Sequence, residues 1–113
     1  MTDANDGLTM VDAINRALHE VMAEDDSTAV MGQDVGVNGG VFRVTEGLID
    51  DYGAARVIDT PLAESGIVGL AIGMAMNGAR PIAEMQFSGF SYYALAQIEN
   101  HAARIAARIR CRW

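Results

Sequence analysis

The chain has 113 residues, enough for one domain or part of one, and half of it is apolar, so it can supply a buried core. Its net charge is −7, with fifteen acidic residues, no lysine and all its basic charge on arginine, a balance that argues against nucleic acid as a partner. The longest apolar run, Ile67 to Met76, falls well short of the about 20 residues needed to cross a bilayer. The N-terminal MTDANDG lacks the basic region and apolar core of a signal peptide.

The charge is unevenly placed. Residues 1–51 carry eleven acids against two arginines, whereas residues 100–113 carry four arginines and no acid. Abundant Asp without Lys suits a salt-rich cytoplasm, and a plain acidic protein is the simpler alternative. A lone Cys111 cannot form an internal disulfide, which suits a reducing, cytoplasmic compartment.

In chain order, Met1–Gly7 reads as a loose polar start. Thr9 followed by Asp12 fits a helix N-cap, and Val11, Ile14, Leu18, Val21 and Met22 then mark one apolar helix face. The helix should stop at Glu24–Ser27. Thr28–Met31 has the continuous apolar character of a buried parallel strand. It opens into Gly32–Gly40, a glycine-rich loop with neither GxGxxG nor a P-loop Lys-Ser/Thr. That favours a turn with unusual backbone angles over a phosphate cradle. Val41, Val44, Leu48, Ile49 and Tyr52 predict a short helix ending near Gly53.

The most informative stretch is Arg56 to Phe90, read as strand, turn, helix, turn and strand. Arg56–Asp59 is a short β-branched run broken at Thr60-Pro61. Ala63–Met76 has helical length, Asn77-Gly78 is a stop, and Pro81–Phe87 begins another strand. Gly66, Gly69 and Gly73 share a helix face, pointing to close packing inside the fold or to a subunit interface. Ser91 to about Arg108 reads as a long helix with Leu95, Ile98, Ala102 and Ile105 as its apolar stripe. His101 lies beside the stripe, as a packed or surface residue rather than a catalytic one. Arg104, Arg108 and Arg112 recur every four residues and would form one basic face, solvated rather than membrane-bound.

One constellation carries chemistry. Glu64 falls at the first turn of the central helix, after a strand end, where open α/β sheets place their ligands. Gln86 lies at a neighbouring strand end, with Phe87 and Phe90 close by. A carboxylate, an amide and an aromatic face could bind a flat, hydrogen-bonding heterocycle. The plainer alternative is a helix-capping Glu64 beside core aromatics.

The runs GQDVG (Gly32–Gly36), GGVFRVTEGL (Gly39–Leu48), DTPLAE (Asp59–Glu64) and ARPIAEMQF (Ala79–Phe87) resemble the β subunit of thiamine-diphosphate-dependent 2-oxoacid dehydrogenases, the E1 component of the pyruvate and branched-chain kind. The likeness spans roughly residues 8–105, in the pyrimidine-binding domain, and fades over 106–113. It implies an α/β fold: a partial three-layer α/β/α sandwich, truncated, with mainly parallel strands near 28–32, 56–60 and 80–86. It implies that Glu64 hydrogen-bonds the ring nitrogen of the thiamine aminopyrimidine and exchanges a proton with it. It further implies that Phe90 stacks on the ring and that Leu62 and Gln86 contact it. Mg²⁺ and the diphosphate would be held mainly by a partner α subunit, and no metal site is expected here.

The implied partners are that α subunit and a second β subunit in an α2β2 assembly, the E2 acyltransferase and a 2-oxoacid, with neither nucleic acid nor membrane. The alternatives are another thiamine enzyme of transketolase or deoxyxylulose-phosphate synthase type, or a non-catalytic truncated fragment. Gln33 departs from the pattern, since relatives often carry an acid there. The repeated Ala-Ala-Arg-Ile and the CRW end depart too, so the chain reads as the N-terminal part of a longer protein, inactive alone.

Overall fold

The computed structural model describes residues 7–110. At its centre lies β1 (Thr28–Gly32), buried along its whole length, as the middle strand of a parallel sheet should be. β2 (Val57–Asp59) and β3 (Arg80–Ala83) flank it, both parallel, in the order β2-β1-β3. The register sets Val30 beside Val57 and Ile82, so three branched side chains share one face. That face meets Met22 of α1 (Met10–Glu24) and Leu48 of α2 (Leu48–Tyr52). With Val35 they form a dry core that Leu18, Ile49 and Tyr52 close off. α3 (Glu64–Met76) packs against β1 and β3 and buries Ile67 and Ala71.

The chain moves one way from β1 to β2, then reverses over β1 to reach β3. Right-handed crossovers in opposite directions put α2 and α3 on opposite faces of the sheet. The three parallel strands with their helices agree with the α/β sandwich, with a mainly parallel sheet, expected from the sequence.

Arg56 fastens the sheet to α1. Its guanidinium donates to the carbonyls of Thr28 (2.9 Å), Met22 (2.7 Å) and Asp25 (2.8 Å), and lies 5.1 Å from the Tyr52 ring centre. A cation at the carbonyl end of a helix is favourable. The Tyr52 hydroxyl donates to the His19 carbonyl at 2.8 Å, tying α2 to α1 as well.

The N-cap is as expected, with the Thr9 hydroxyl accepting from the Asp12 N–H and donating to the Asp12 carboxylate. Several other expectations are corrected. On the predicted apolar face of α1, only Met22 is fully buried, and Ile14 and Val21 remain exposed. Residues 41–47 are turns, because Arg43 and Gly47 take positive φ, and the helix starts only at Leu48. β3 ends at Ala83, so Glu84–Gln86 lie beyond it.

The long helix is broken into a 3-10 segment (Ser88–Ala94), α4 (Leu95–Gln97), a π turn (Ile98–Ala102) and α5 (Ile105–Arg110). Phe90, Tyr92 and Tyr93 are weak helix formers, and they fall in the 3-10 segment. The supposed apolar stripe is largely exposed, at Leu95, Ile98 and Ala102, and Arg104 sits at a turn. His101 is on the surface, 3.4 Å from Arg108. The expectations placed on residues 1–6, Cys111, Arg112 and Trp113 lie outside the described residues.

Of the three aligned glycines, Gly69 approaches the Gln97 amide, Gly66 meets only Ala63 of its own helix cap, and Gly73 faces open space. Packing within the described residues therefore accounts for one glycine of the three. The radius of gyration is 16.0 Å, above the about 13 Å of a compact domain this long.

Candidate functional site

The strand order dictates where a site can form. Because connections leave β1 and arrive at β3 in opposite directions, a crevice opens beyond the C-terminal ends of those two strands. The first residue past β1 is Gln33, and the residues past β3 are Glu84, Met85 and Gln86. A bond from the Glu84 N–H to the Met31 carbonyl (2.8 Å) carries the ladder one residue beyond β3 and fixes where Gln86 emerges. The Gln86 side-chain amide then donates to the Gln33 carbonyl at 3.2 Å, across the mouth of the crevice.

Gly32 makes this approach possible. A Cβ there would stand 3.0 Å from the Glu84 Cβ and 3.1 Å from its carbonyl oxygen.

Glu64 reaches the same crevice as the first residue of α3, where a carboxylate interacts favourably with the helix dipole. Thr60-Pro61 ends β2 and turns the chain toward it. Gln33, Glu64, Ile67, Glu84, Met85, Gln86 and Phe90 line one small cleft of about 10 Å³. Phe90 is braced edge-to-face by Phe87 (ring centres 5.3 Å apart, 71°), and Phe87 in turn by Phe42 (5.3 Å, 74°). Such pairs contribute about 0.5–1.5 kcal/mol beyond their buried area.

Three of the four residues singled out in the sequence, Glu64, Gln86 and Phe90, thus meet at one place. The fourth, Leu62, does not: it is 70% exposed and outside the cleft lining. The sequence reading missed Glu84. Its Oε2 is buried without a hydrogen-bond partner, and burial pushes its carboxyl up from the ordinary glutamate range. The signal was an acid inside the otherwise apolar run Pro81–Met85. Gln33, noted only as a departure, stands on the lining itself.

A space of about 10 Å³ holds one water at most, not a heterocyclic ring. The residues present fit an aminopyrimidine as one wall: a carboxyl to exchange a proton, an amide, and an aromatic face. A larger cleft of about 350 Å³, lined by residues 36–39 with Arg43, Glu46 and Asp50, gathers none of the predicted residues. Among the described residues no cluster of His, Cys, Asp and Glu could hold a metal, and no helix is long and apolar enough to cross a membrane.

Residues 6–111 match the family described as transketolase, pyrimidine binding domain. The 3-methyl-2-oxobutanoate dehydrogenase subunit beta of Mycobacterium tuberculosis is 54% identical over 110 residues, 97% of this chain and 32% of that protein. The pyruvate dehydrogenase E1 component subunit beta of Acholeplasma laidlawii is 52% identical over 103 residues (91% and 32%). That of Bacillus subtilis is 51% identical over 106 residues (94% and 33%). The chain spans about a third of the length of these curated relatives.

Proposed function

The chain belongs to the transketolase pyrimidine-binding domain family, and we propose that it forms the aminopyrimidine-binding wall of a thiamine-diphosphate site in the E1 β subunit of a 2-oxoacid dehydrogenase. The observation that carries this reading is the convergence of Glu64, Gln86 and Phe90 beyond the ends of β1 and β3. Thiamine diphosphate, when bound, supplies the electron sink that decarboxylation of a 2-oxoacid requires.

The chain's own residues have separable tasks. Glu64 would hold and release a proton at the ring nitrogen, the role of a general acid–base. Gln86, steadied by the Gln33 carbonyl, orients the ring edge. Phe90 offers a stacking face, held in place by Phe87 and Phe42. Leu62, exposed at the turn before α3, would touch the ring only when other chain segments close over it.

A single wall needs partners, and the surface is consistent with them. Tyr92 and Tyr93 are 77% and 70% exposed, and Leu70 and Met76 on α3 are exposed too; large exposed apolar side chains of this kind suit protein contacts. We assign them to contacts with an E1 α subunit and a second β subunit, in an α2β2 assembly that works with an E2 acyltransferase in the cytoplasm. The diphosphate and its Mg²⁺ would be held mainly by the α subunit.

The test is reconstitution. A β subunit carrying this segment, assembled with an α subunit, should bind thiamine diphosphate, and Phe90→Ala should weaken binding about tenfold, the order of an aromatic–base stack. The isolated chain should show no oxidative decarboxylation. Turnover by the isolated chain, or unchanged affinity in Phe90→Ala, would contradict the reading.

A further inference from the structure

The turn over residues 41–47 is gripped from α1. The Asn15 side-chain amide donates to two of its carbonyls, Val44 at 2.9 Å and Glu46 at 3.0 Å. An amide nitrogen carries two N–H donors, enough for both. Among the described residues, neither carbonyl accepts a backbone N–H. The His19 ring, one helical turn further along α1, comes only within 3.5 Å of the Glu46 carbonyl. Between the two carbonyls Thr45 is 1% exposed, so the turn is pressed against the body of the protein at this point.

The turn needs such a hold. Arg43 has φ +62° and Gly47 φ +80°, and a residue with a side chain persists in the left-handed region only where its surroundings fix it. The Arg43 guanidinium donates to the Asn38 carbonyl, which folds the turn onto its own loop. Asn15 instead ties the segment between Arg43 and Gly47 to a helix. Phe42 stands immediately before Arg43. Its ring meets Phe87 edge-to-face at 5.3 Å, and Phe87 meets Phe90 in the same way at 5.3 Å. All three rings are exposed, so burial in the core does not fix them, and each depends on its neighbour.

We propose that Asn15 is a positioning residue for the stacking face at Phe90, acting through the 41–47 turn and then through Phe42 and Phe87. The route is an unbroken series of contacts: amide to carbonyls, turn to Phe42, ring to ring to ring. Glu64 begins α3 and lies off this route. Asn15 therefore governs how firmly a flat ligand is stacked, not how its proton moves. The identity of that ligand rests on the thiamine reading; the support of Phe90 from α1 does not.

The experiment has two arms. In the chain without cofactor, nuclear Overhauser cross-peaks should join Phe42 to Phe87 and Phe87 to Phe90. Asn15→Asp keeps the size of the side chain but has no N–H to donate. It should lose the Phe42–Phe87 cross-peaks while the amide signals of β1, β2 and β3 stay in place. In an assembled enzyme whose β subunit carries this segment, Asn15→Asp and Phe42→Ala should each weaken thiamine diphosphate binding about three- to tenfold, up to the worth of a whole aromatic–base stack. Because both act on one route, the double variant should lose no more than either alone, and hydrogen exchange at C2 of the bound cofactor should keep its wild-type rate. Cross-peaks that are missing from the wild type, or that persist in folded Asn15→Asp, would overturn the proposal. So would wild-type affinity in Phe42→Ala, which decides alone if Asn15→Asp does not fold, or losses that simply add. An assembled wild type that binds no thiamine diphosphate would sink the thiamine reading, and the cross-peaks would still judge the support of Phe90.

Discussion

The Asp59 carboxylate at the end of β2 grips the loop after β1, accepting the Gly36 N–H at 2.7 Å and the Val37 N–H at 3.3 Å. Successive N–H groups in a glycine-rich loop make an anion nest, and here an internal carboxylate fills it. The loop is thus a turn tied to the sheet, not a phosphate cradle, and Gly36 is small because its Cβ would fall 2.7 Å from Asp59 Oδ2. Asp59→Ala should destabilise the chain by about 0.5–1.5 kcal/mol, the net worth of a hydrogen bond such as that to the part-buried Gly36 N–H. Gly36→Ala should act through the same contact, so the double substitution should cost less than the two added. Urea unfolding checks this; a wild-type midpoint in Asp59→Ala would contradict it.

Acid should loosen the entrance to β1. The Asp25 carboxylate accepts from the Ser27 hydroxyl (2.6 Å) and N–H (2.8 Å) and lies 3.3 Å from Arg80. The Ser27 hydrogen bonds, helped by Arg80 and Arg56, hold its pKa below the ordinary aspartate value of 3.8. A folded-state pKa below the unfolded one gives stability that is present above the unfolded value and lost as pH falls through the folded one. Wild type should therefore exceed Asp25→Asn at neutral pH, with the gap closing in acid. A gap independent of pH would contradict this.

Salt should stabilise the chain. Asp12, Glu20, Glu24, Asp26, Asp34, Glu46, Asp50 and Asp51 are all exposed, and only two arginines accompany them in residues 1–51. Their repulsion weakens as the screening length falls from about 10 Å at 0.1 M to about 3 Å at 1 M. Thermal melts should move upward with KCl; a melting temperature that does not change would remove the support for a salt-adapted protein.

What the sequence made legible followed local rules. Thr9 marked the start of α1, the apolar Thr28–Met31 run marked the central strand, and Asn77-Gly78 marked the end of α3. Glu64 stood out because it begins an apolar helix immediately after a strand. The strand order was not legible locally, yet it is what brings Gln33 beside Glu84 and Gln86. Glu84 escaped notice because its character comes from burial, which no window of sequence displays. The break at Ser88–Ala102 was hidden because the apolar spacing there imitates a helix while the aromatic residues around Phe90 favour a tighter turn. Leu62 follows the family pattern in sequence but points to solvent, where an isolated wall cannot use it.

The central claim is that Glu64 exchanges a proton with the aminopyrimidine ring rather than merely capping α3. The direct measurement is the rate of hydrogen exchange at C2 of thiamine diphosphate bound to an assembled enzyme whose β subunit carries this segment, with Glu64 or with Gln in its place. Glu64→Gln keeps size and hydrogen-bonding atoms but cannot exchange a carboxyl proton. The account predicts a loss of about 10²–10⁴-fold in exchange, the range of a general acid–base group, with a much smaller change in cofactor affinity. Exchange at the wild-type rate in Glu64→Gln would contradict it and leave Glu64 as a helix cap.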